Sequence, residues 1–103
     1  MFSAEQTDTS IEITLAVESL DASNAPEFKS KLDPLGLEGM EQVKVDCGCL
    51  DFVDSSGVGA LLNVNNRLQE SAKPVTLFNV TPQVVSVLEL LRIHRLLEVK
   101  AKD

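Results

Sequence analysis

The side chains best suited to chemistry lie together in one segment, Asp51-Phe52-Val53-Asp54-Ser55-Ser56-Gly57-Val58-Gly59. It offers two carboxylates, two adjacent hydroxyls and two glycines between a run typical of a strand and a run typical of a helix. In open α/β sheets, ligands and partners bind at this edge. The same serines are also good helix N-caps, and Gly57 permits a sharp turn. From the residues alone, helix capping and a functional hydroxyl both remain open.

Enzymatic uses of these groups find little support in the sequence. A Ser-His-Asp triad would need His94, the single histidine, and the Gly-x-Ser-x-Gly elbow is absent around Ser56. The Gly-Val-Gly run at 57–59 lacks both the Gly-Lys-Ser/Thr ending and the third glycine of nucleotide-binding loops. Asp51 and Asp54 are more typical of solvated or capping groups than of a general acid and base or metal ligands. We therefore expect no enzyme activity, no catalytic residue, no metal and no cofactor.

Composition narrows the class of protein further. The chain has 103 residues, of which 44% are hydrophobic and 24% charged, so we expect one domain over residues 1–103. The net charge of −7 repels phosphate backbones and anionic headgroups, which argues against a direct nucleic acid partner. Without a long apolar run or a signal-peptide pattern, we expect no membrane insertion and a cytoplasmic location. Cys47 and Cys49 are predicted to be small buried or half-buried side chains in a reducing compartment.

The strands that must position this segment are predicted from alternating apolar and polar residues. Ile11, Ile13, Leu15 and Val17 give the clearest example. The predicted strands are a weak edge strand before a turn at 7–10, then 11–17, 43–47, 75–78 and 96–99.

Three helices are predicted between these strands. Asn24 and Glu27 form a capping-box pair for a helix from about Ala25 to Leu35 that closes near Gly36. The second helix follows Ser56 and ends near 71–74, and the third opens at Thr81-Pro82. The inward faces of these two helices are predicted to carry Val58, Leu61, Leu62 and Leu68, and then Val84, Val87, Leu88 and Leu91. We take Leu61, Leu62 and Leu88 as core residues. Strand and helix alternate, which requires parallel pairing and an α/β fold.

Residues 54–59, Asp-Ser-Ser-Gly-Val-Gly, resemble the signature loop of STAS domains, which are found in bacterial anti-sigma factor antagonists. Leu20-Asp21-Ala22 resembles the Leu-Asp segment of that family, and the order of elements is similar over essentially the whole chain. One departure is Glu18, at a position two residues before the Leu-Asp pair where family members commonly have glycine. The resemblance implies a mixed, mostly parallel sheet of about five strands covered by three or four helices.

The resemblance also implies a function. It is that of a phosphorylation-controlled anti-sigma factor antagonist, which binds a serine-kinase anti-sigma factor when unphosphorylated and so frees a sigma factor. The family's phosphoacceptor, the second serine of the loop, corresponds to Ser56. Partner binding would fall on Asp21, Asp54, Ser55, Gly57 and Val58, and the protein would be a monomer or weak dimer. The alternative is a STAS scaffold or transport-complex subunit that is not phosphorylated.

Overall fold

The sheet forms where apolar and polar residues alternate. The computed structural model describes residues 1–102. Its strands are β1 (Phe2–Gln6), β2 (Ser10–Leu15), β3 (Ser19–Leu20), β4 (Gln42–Asp46), β5 (Phe52–Val53), β6 (Thr76–Val80) and β7 (Glu98–Ala101). The main sheet has the order β1-β2-β4-β6-β7, in which β1 is antiparallel to β2 and the other neighbours are parallel. The predicted α/β fold with a mixed, mostly parallel five-stranded sheet is confirmed.

One face of this sheet is apolar and covered, and the other is open. Ile13 lies opposite Val45, which lies opposite Leu77, and all three side chains are fully buried. On the other face Glu12 lies opposite Lys44, and both are exposed. Since successive residues of a strand point to opposite faces, this alternation buries one side of the sheet against the helices.

The three helices in residues 1–102 are α1 (Ala25–Leu32), α2 (Ser55–Asn66) and α3 (Pro82–Leu90). None of the helices in this range is long and apolar enough to cross a membrane. Phe28, Leu61 and Leu88, one from each helix, are fully buried in the same core as the strands. Leu61 and Leu88 are therefore confirmed as core residues. Leu62 is only half-buried, because one step along a helix rotates a side chain by about 100°.

Helix α1 ends earlier than predicted. It stops at Leu32, and Asp33–Leu35 form a 3₁₀ turn instead of continuing to Leu35. Pro34 has no N–H to donate to a carbonyl four residues back, so the α-helical pattern cannot pass through it. Gly36 then closes the turn with a left-handed φ of 64°, as the sequence predicted.

Helix α2 also ends short of its predicted limit at 71–74, and the cause is a side chain. The Leu68 N–H donates to the carbonyl of Asn65 (3.2 Å), which tightens the last turn. The Asn65 side-chain oxygen accepts from the N–H of Val75 (3.0 Å). This bond ties the end of α2 to the residue just before β6, so Asn65 interrupts the apolar face for a structural reason.

The predictions around the end of α3 and at Cys49 were partly wrong. Val87 is half-buried, and Leu91, placed on the inner face by its spacing, is 46% exposed. Helix α3 ends just before it, and Arg92 reverses the chain with a left-handed φ of 59°. The last strand therefore begins at Glu98 and not at 96. Cys47 is buried as expected, whereas Cys49 lies in the turn after β4 and is exposed.

Candidate functional site

Two short strands that the sequence did not predict frame the site. β3 and β5 pair in parallel, with Ser19 opposite Phe52. The Glu18 carbonyl extends this pairing because it accepts the N–H groups of Asp51 (2.7 Å) and Phe52 (3.2 Å). Among residues 1–102, the non-glycine residues with positive φ are Asn79 and Arg92, so Glu18 fits here without left-handed strain. The β3–β5 pair brings the Leu-Asp segment beside the Asp-Ser-Ser-Gly turn.

Asp54 is the helix cap, a role that the sequence left to the serines. Its Oδ1 accepts the N–H of Gly57 (2.9 Å), which is the hydrogen bond of an N-cap residue. Its Oδ2 accepts the N–H of Ala22 (3.2 Å), on the other side of the site. Ser55 and Ser56 are the first two residues of α2. One carboxylate therefore both begins the helix and fastens it to the Leu-Asp segment, which leaves the serine hydroxyls free of the capping role.

Gly57 is required by close packing and not by its backbone angle. Among the described residues, Gly36 is the glycine with positive φ, so Gly57 has a conformation open to any residue. A β-carbon at Gly57 would lie 2.7 Å from the carbonyl carbon of Leu20 and closer still to its oxygen. That same oxygen accepts the Asp54 N–H (3.4 Å). The absence of a side chain lets the first turn of α2 rest directly on β3.

Asp21 and Asn24 hold the Leu-Asp segment in place. Asp21 Oδ1 accepts from the hydroxyl and the N–H of Ser23, and these bonds hold the pKa of the Asp21 carboxyl below its usual value. The Asn24 side chain accepts the Asp21 N–H (2.9 Å) and donates to the Ser19 carbonyl (2.9 Å). Asn24 occupies the N-cap position of α1 without capping it, so the predicted capping box with Glu27 was wrong.

The hydroxyl of Ser56 remains accessible in this turn. Ser55 is exposed and Ser56 is half-buried. Within residues 1–102, every fully buried side-chain oxygen has a hydrogen-bond partner. The Ser56 hydroxyl has no such partner there, and it therefore reaches solvent. The N–H groups of Ser55 and Ser56 belong to the first turn of α2, where no helical carbonyl is available to them.

The other residues predicted to bind a partner differ in exposure. Asp21 and Asp54 are partly exposed, whereas Gly57 and Val58 are buried. The buried pair can influence a partner only through the position of the turn. Asp51, at the other end of β5 from Asp54, is exposed as well.

Phe52 is a surface residue that the sequence analysis missed. Its side chain is 54% exposed, while its neighbour Val53 is 2% exposed. This is the alternation of a strand, but a strand of two residues is too short for its periodicity to be recognised in a sequence. A large apolar side chain thus lies close in sequence to the acidic rim formed by Asp21 and Asp54.

The chemistry available here is that of recognition or modification. Within residues 1–102, no three His, Cys, Asp or Glu side chains are placed to share a metal ion. His94 is exposed in a 3₁₀ turn beyond α3. Both oxygens of Asp54 already accept backbone N–H groups. What the site offers is two accessible hydroxyls at a helix N-terminus, those of Ser55 and Ser56, with an acidic rim and an exposed aromatic ring.

Solved structures share this fold. The anti-sigma factor antagonist SpoIIAA in its unphosphorylated form aligns with a TM-score of 0.77 and 24% identity, over 96% of this chain and 87% of that one. The Bacillus cell fate determinant SpoIIAA in the phosphorylated form aligns with a TM-score of 0.68 and 23% identity, over 96% and 90%. An anti-sigma-factor antagonist (STAS) domain protein from Planctomyces limnophilus gives a TM-score of 0.83 and 17% identity, over 99% and 90%.

An anion transporter contains the same fold as one of its parts. The murine Solute Carrier 26 family member A9 (Slc26a9) anion transporter aligns with a TM-score of 0.75 and 17% identity, over 96% of this chain but only 17% of its own length. Comparison with curated proteins found no match. A family model described as "Mlab, STAS domain" matches residues 2–98. Nearly the whole chain is thereby covered, and the protein belongs to the STAS domain family.

Proposed function

We propose that this protein is a phosphorylation-controlled anti-sigma factor antagonist acting in the cytoplasm. Unphosphorylated, it binds an anti-sigma factor that is also a serine kinase, and it thereby frees a sigma factor. The observation that carries the proposal is the accessible hydroxyl of Ser56 in a turn held by Asp54 and Gly57. The names of the structural neighbours add support, since SpoIIAA is an anti-sigma factor antagonist described in both unphosphorylated and phosphorylated forms.

A phosphate on Ser56 is compatible with the fold. It adds about −1.5 to −2 charges and three acceptor oxygens. At the start of α2 it meets the two free N–H groups of the first turn and the positive end of the helix dipole, which favours it by about 0.3–1 kcal/mol. The carboxylates of Asp21 and Asp54 oppose it from the rim. Interactions between exposed charges are worth about 1 kcal/mol or less, which is small beside the roughly 5–15 kcal/mol that stabilise a typical domain, so the modified domain stays folded.

The same phosphate has a larger effect on a bound partner. Like charges brought together at an interface cost several kcal/mol because water no longer screens them. A partner that covers the site and Phe52 excludes water from it. The phosphate and the carboxylates of Asp21 and Asp54 then repel one another without screening by water, and the phosphate adds bulk at the centre of the contact. Phosphorylation therefore acts by releasing the partner, and not by unfolding the domain.

The test begins with copurification from the native cell to obtain the partner. The purified partner with ATP should add one phosphate to the wild-type protein, as shown by intact mass. Peptide mapping should place that phosphate on Ser56. Ser55→Ala, the matched control, should still be phosphorylated, whereas Ser56→Ala should not. Phosphate on Ser55 or on a threonine instead would reject Ser56 as the acceptor.

A second candidate is a STAS subunit of a transport complex that is not phosphorylated. It is favoured by the presence of this fold inside a murine anion transporter. In that case the Asp54–Gly57 turn serves as a fixed contact surface. Copurification of transporter subunits, together with the absence of phosphate on protein isolated from the native cell, would favour this candidate over the switch.

A further inference from the structure

The end of α3 and the turn after it carry three of the four exposed large hydrophobic side chains of residues 1–102. Among residues 1–102, the exposed large hydrophobic side chains are Phe52, Leu90, Leu91 and Leu96. The three leucines are 80%, 46% and 55% exposed. Three exposed basic side chains lie between them in the sequence. Together these residues form the leucine–arginine surface, which consists of Leu90, Leu91, Arg92, His94, Arg95 and Leu96.

This surface is presented by an ordered turn. Arg92 adopts a left-handed φ of 59°, where glycine is the usual residue. Its carbonyl accepts the Arg95 N–H (3.2 Å). Ile93 and Leu97 are buried, at 5% and 2% exposure, and they anchor the turn in the core. Because the inward positions are already filled by these two residues, the three leucines point outward as part of the fold.

The charge of the surface is opposite to that of the rest of the protein. Residues 90–97 contain two arginines and no acidic residue. Exposed Glu89 and Glu98 flank them, and Glu98 is ion-paired with Lys100 (3.4 Å). Removing those two positive charges from the net charge of −7 leaves −9 for the remainder. Two copies packed through this surface would bring arginines face to face, which like-charge repulsion disfavours. An extended anionic bilayer would also lie near the strongly acidic remainder of the protein, which repels it. A short acidic segment avoids this repulsion, since it can stay within about one Debye length, roughly 8 Å, of the arginines.

We propose that the leucine–arginine surface docks an acidic amphipathic segment of a partner protein, with apolar side chains set beside carboxylates. This interface is separate from the Ser56 site. Helix α3 starts next to Thr81, whose hydroxyl donates to the Leu50 carbonyl (2.8 Å) just before β5. The nine residues of α3 carry the surface about 13 Å along the helix axis from that point. Screening over that distance leaves the docking independent of phosphate on Ser56.

The test uses two labelled synthetic helices of about 18 residues. They share the same leucines at helical spacing and differ only in glutamate or lysine on the flanks. Fluorescence anisotropy at about 0.15 M salt measures their binding to the full chain. The glutamate helix should bind at least about tenfold more tightly than the lysine helix. It should shift backbone amide resonances of residues 90–96.

Three variants measure separately how the leucines, the arginines and Ser56 contribute to binding of the glutamate helix. The double variant Leu90→Ser, Leu96→Ser and the double variant Arg92→Glu, Arg95→Glu should each weaken the glutamate helix by about tenfold or more. Ser56→Asp should leave its affinity unchanged, so that failure here is distinguishable from failure of the Ser56 switch. Circular dichroism checks each fold, and the single variant Leu90→Ser, at a fully outward position, serves if a double variant is unfolded.

Four outcomes would overturn the proposal. Equal binding of the two helices, or resonance shifts confined to other residues, would remove the surface as an acidic-segment site. Binding of phosphatidylglycerol–phosphatidylcholine vesicles through the same leucines, without binding of the glutamate helix, would assign it to a membrane. Concentration-dependent self-association that disappears in the leucine variant would assign it to a second copy of the chain.

Discussion

Gly57→Ala tests how the site is built. The new β-carbon would lie 2.7 Å from the Leu20 carbonyl carbon, whereas real β-carbons keep at least 3.0 Å from such atoms. Because the obstacle is backbone on both sides, α2 and β3 must separate, which strains the Asp54 cap and the β3–β5 pair. Overpacking of this kind costs about 1–3 kcal/mol and occasionally more. We expect a net loss of about 2–3 kcal/mol, since alanine's better helix propensity recovers up to about 1 kcal/mol.

Gly59→Ala is the matched control two residues further along the same helix. Nothing lies within 4 Å of a β-carbon placed there, so the substitution should stabilise the protein by about 0.5–1 kcal/mol. Urea unfolding followed by far-ultraviolet circular dichroism measures both changes, because the chain has no Trp or Tyr to serve as a fluorescent probe. If Gly57→Ala were as stable as Gly59→Ala, the direct packing of α2 on β3 would be incorrect.

The remaining predictions concern the core, the thiols and the surface. Leu61→Ala should cost about 2–5 kcal/mol in urea unfolding, and Leu62→Ala clearly less because Leu62 is half-buried; the reverse order would shift the helix register. Iodoacetamide should modify Cys49 in the folded protein and spare Cys47, whose pKa burial raises to about 12. Since the unfolded Cys47 thiol ionises near 9.0, its contribution to stability is complete below that pH and is lost between about 9 and 12; a variant lacking this thiol should lose that part of the pH dependence. Phe52→Ser should keep the fold but weaken binding of the copurified partner by about tenfold or more, and unchanged affinity would exclude Phe52 from the interface.

Much of the fold could be predicted from the sequence because its strands and helices bury one face. Ile11 to Leu15 alternate with polar residues, and Leu61 and Leu88 follow helical spacing, so their burial depends on periodicity that is visible in the chain. The errors occur where a single contact overrides that periodicity. Pro34 cannot continue the hydrogen-bond pattern of α1, which therefore ends at Leu32. Asn65 bonds to the Val75 N–H, and α2 ends close to it. Arg92 takes a left-handed φ that ends α3, and Leu91 is exposed. That residues 1–103 form one cooperative domain stays a prediction, which the urea transitions also test.

The motif indicated the candidate site, but the contacts that build it were not predictable. Asp54 reaches Ala22, and Gly57 meets Leu20, across more than 30 residues of sequence. No local pattern reports such contacts, and the β3–β5 pair that creates them is too short to show a period. The motif therefore indicated Ser56, while the structure explains why the acid and the glycine accompany it: one caps the helix, and the other lets the helix approach the strand.

Calorimetry of the copurified anti-sigma factor with three forms of this protein tests the central claim most directly. The forms are wild type, Ser56→Ala and Ser56→Asp, each shown to be folded by circular dichroism. We expect wild type and Ser56→Ala to bind with similar affinity, because removing a hydroxyl without hydrogen-bond partners leaves the turn intact. Ser56→Asp should bind at least about tenfold more weakly, since a fixed negative charge reproduces part of the phosphate's repulsion. Equal affinity of wild type and Ser56→Asp would contradict the assignment of Ser56 as the switch.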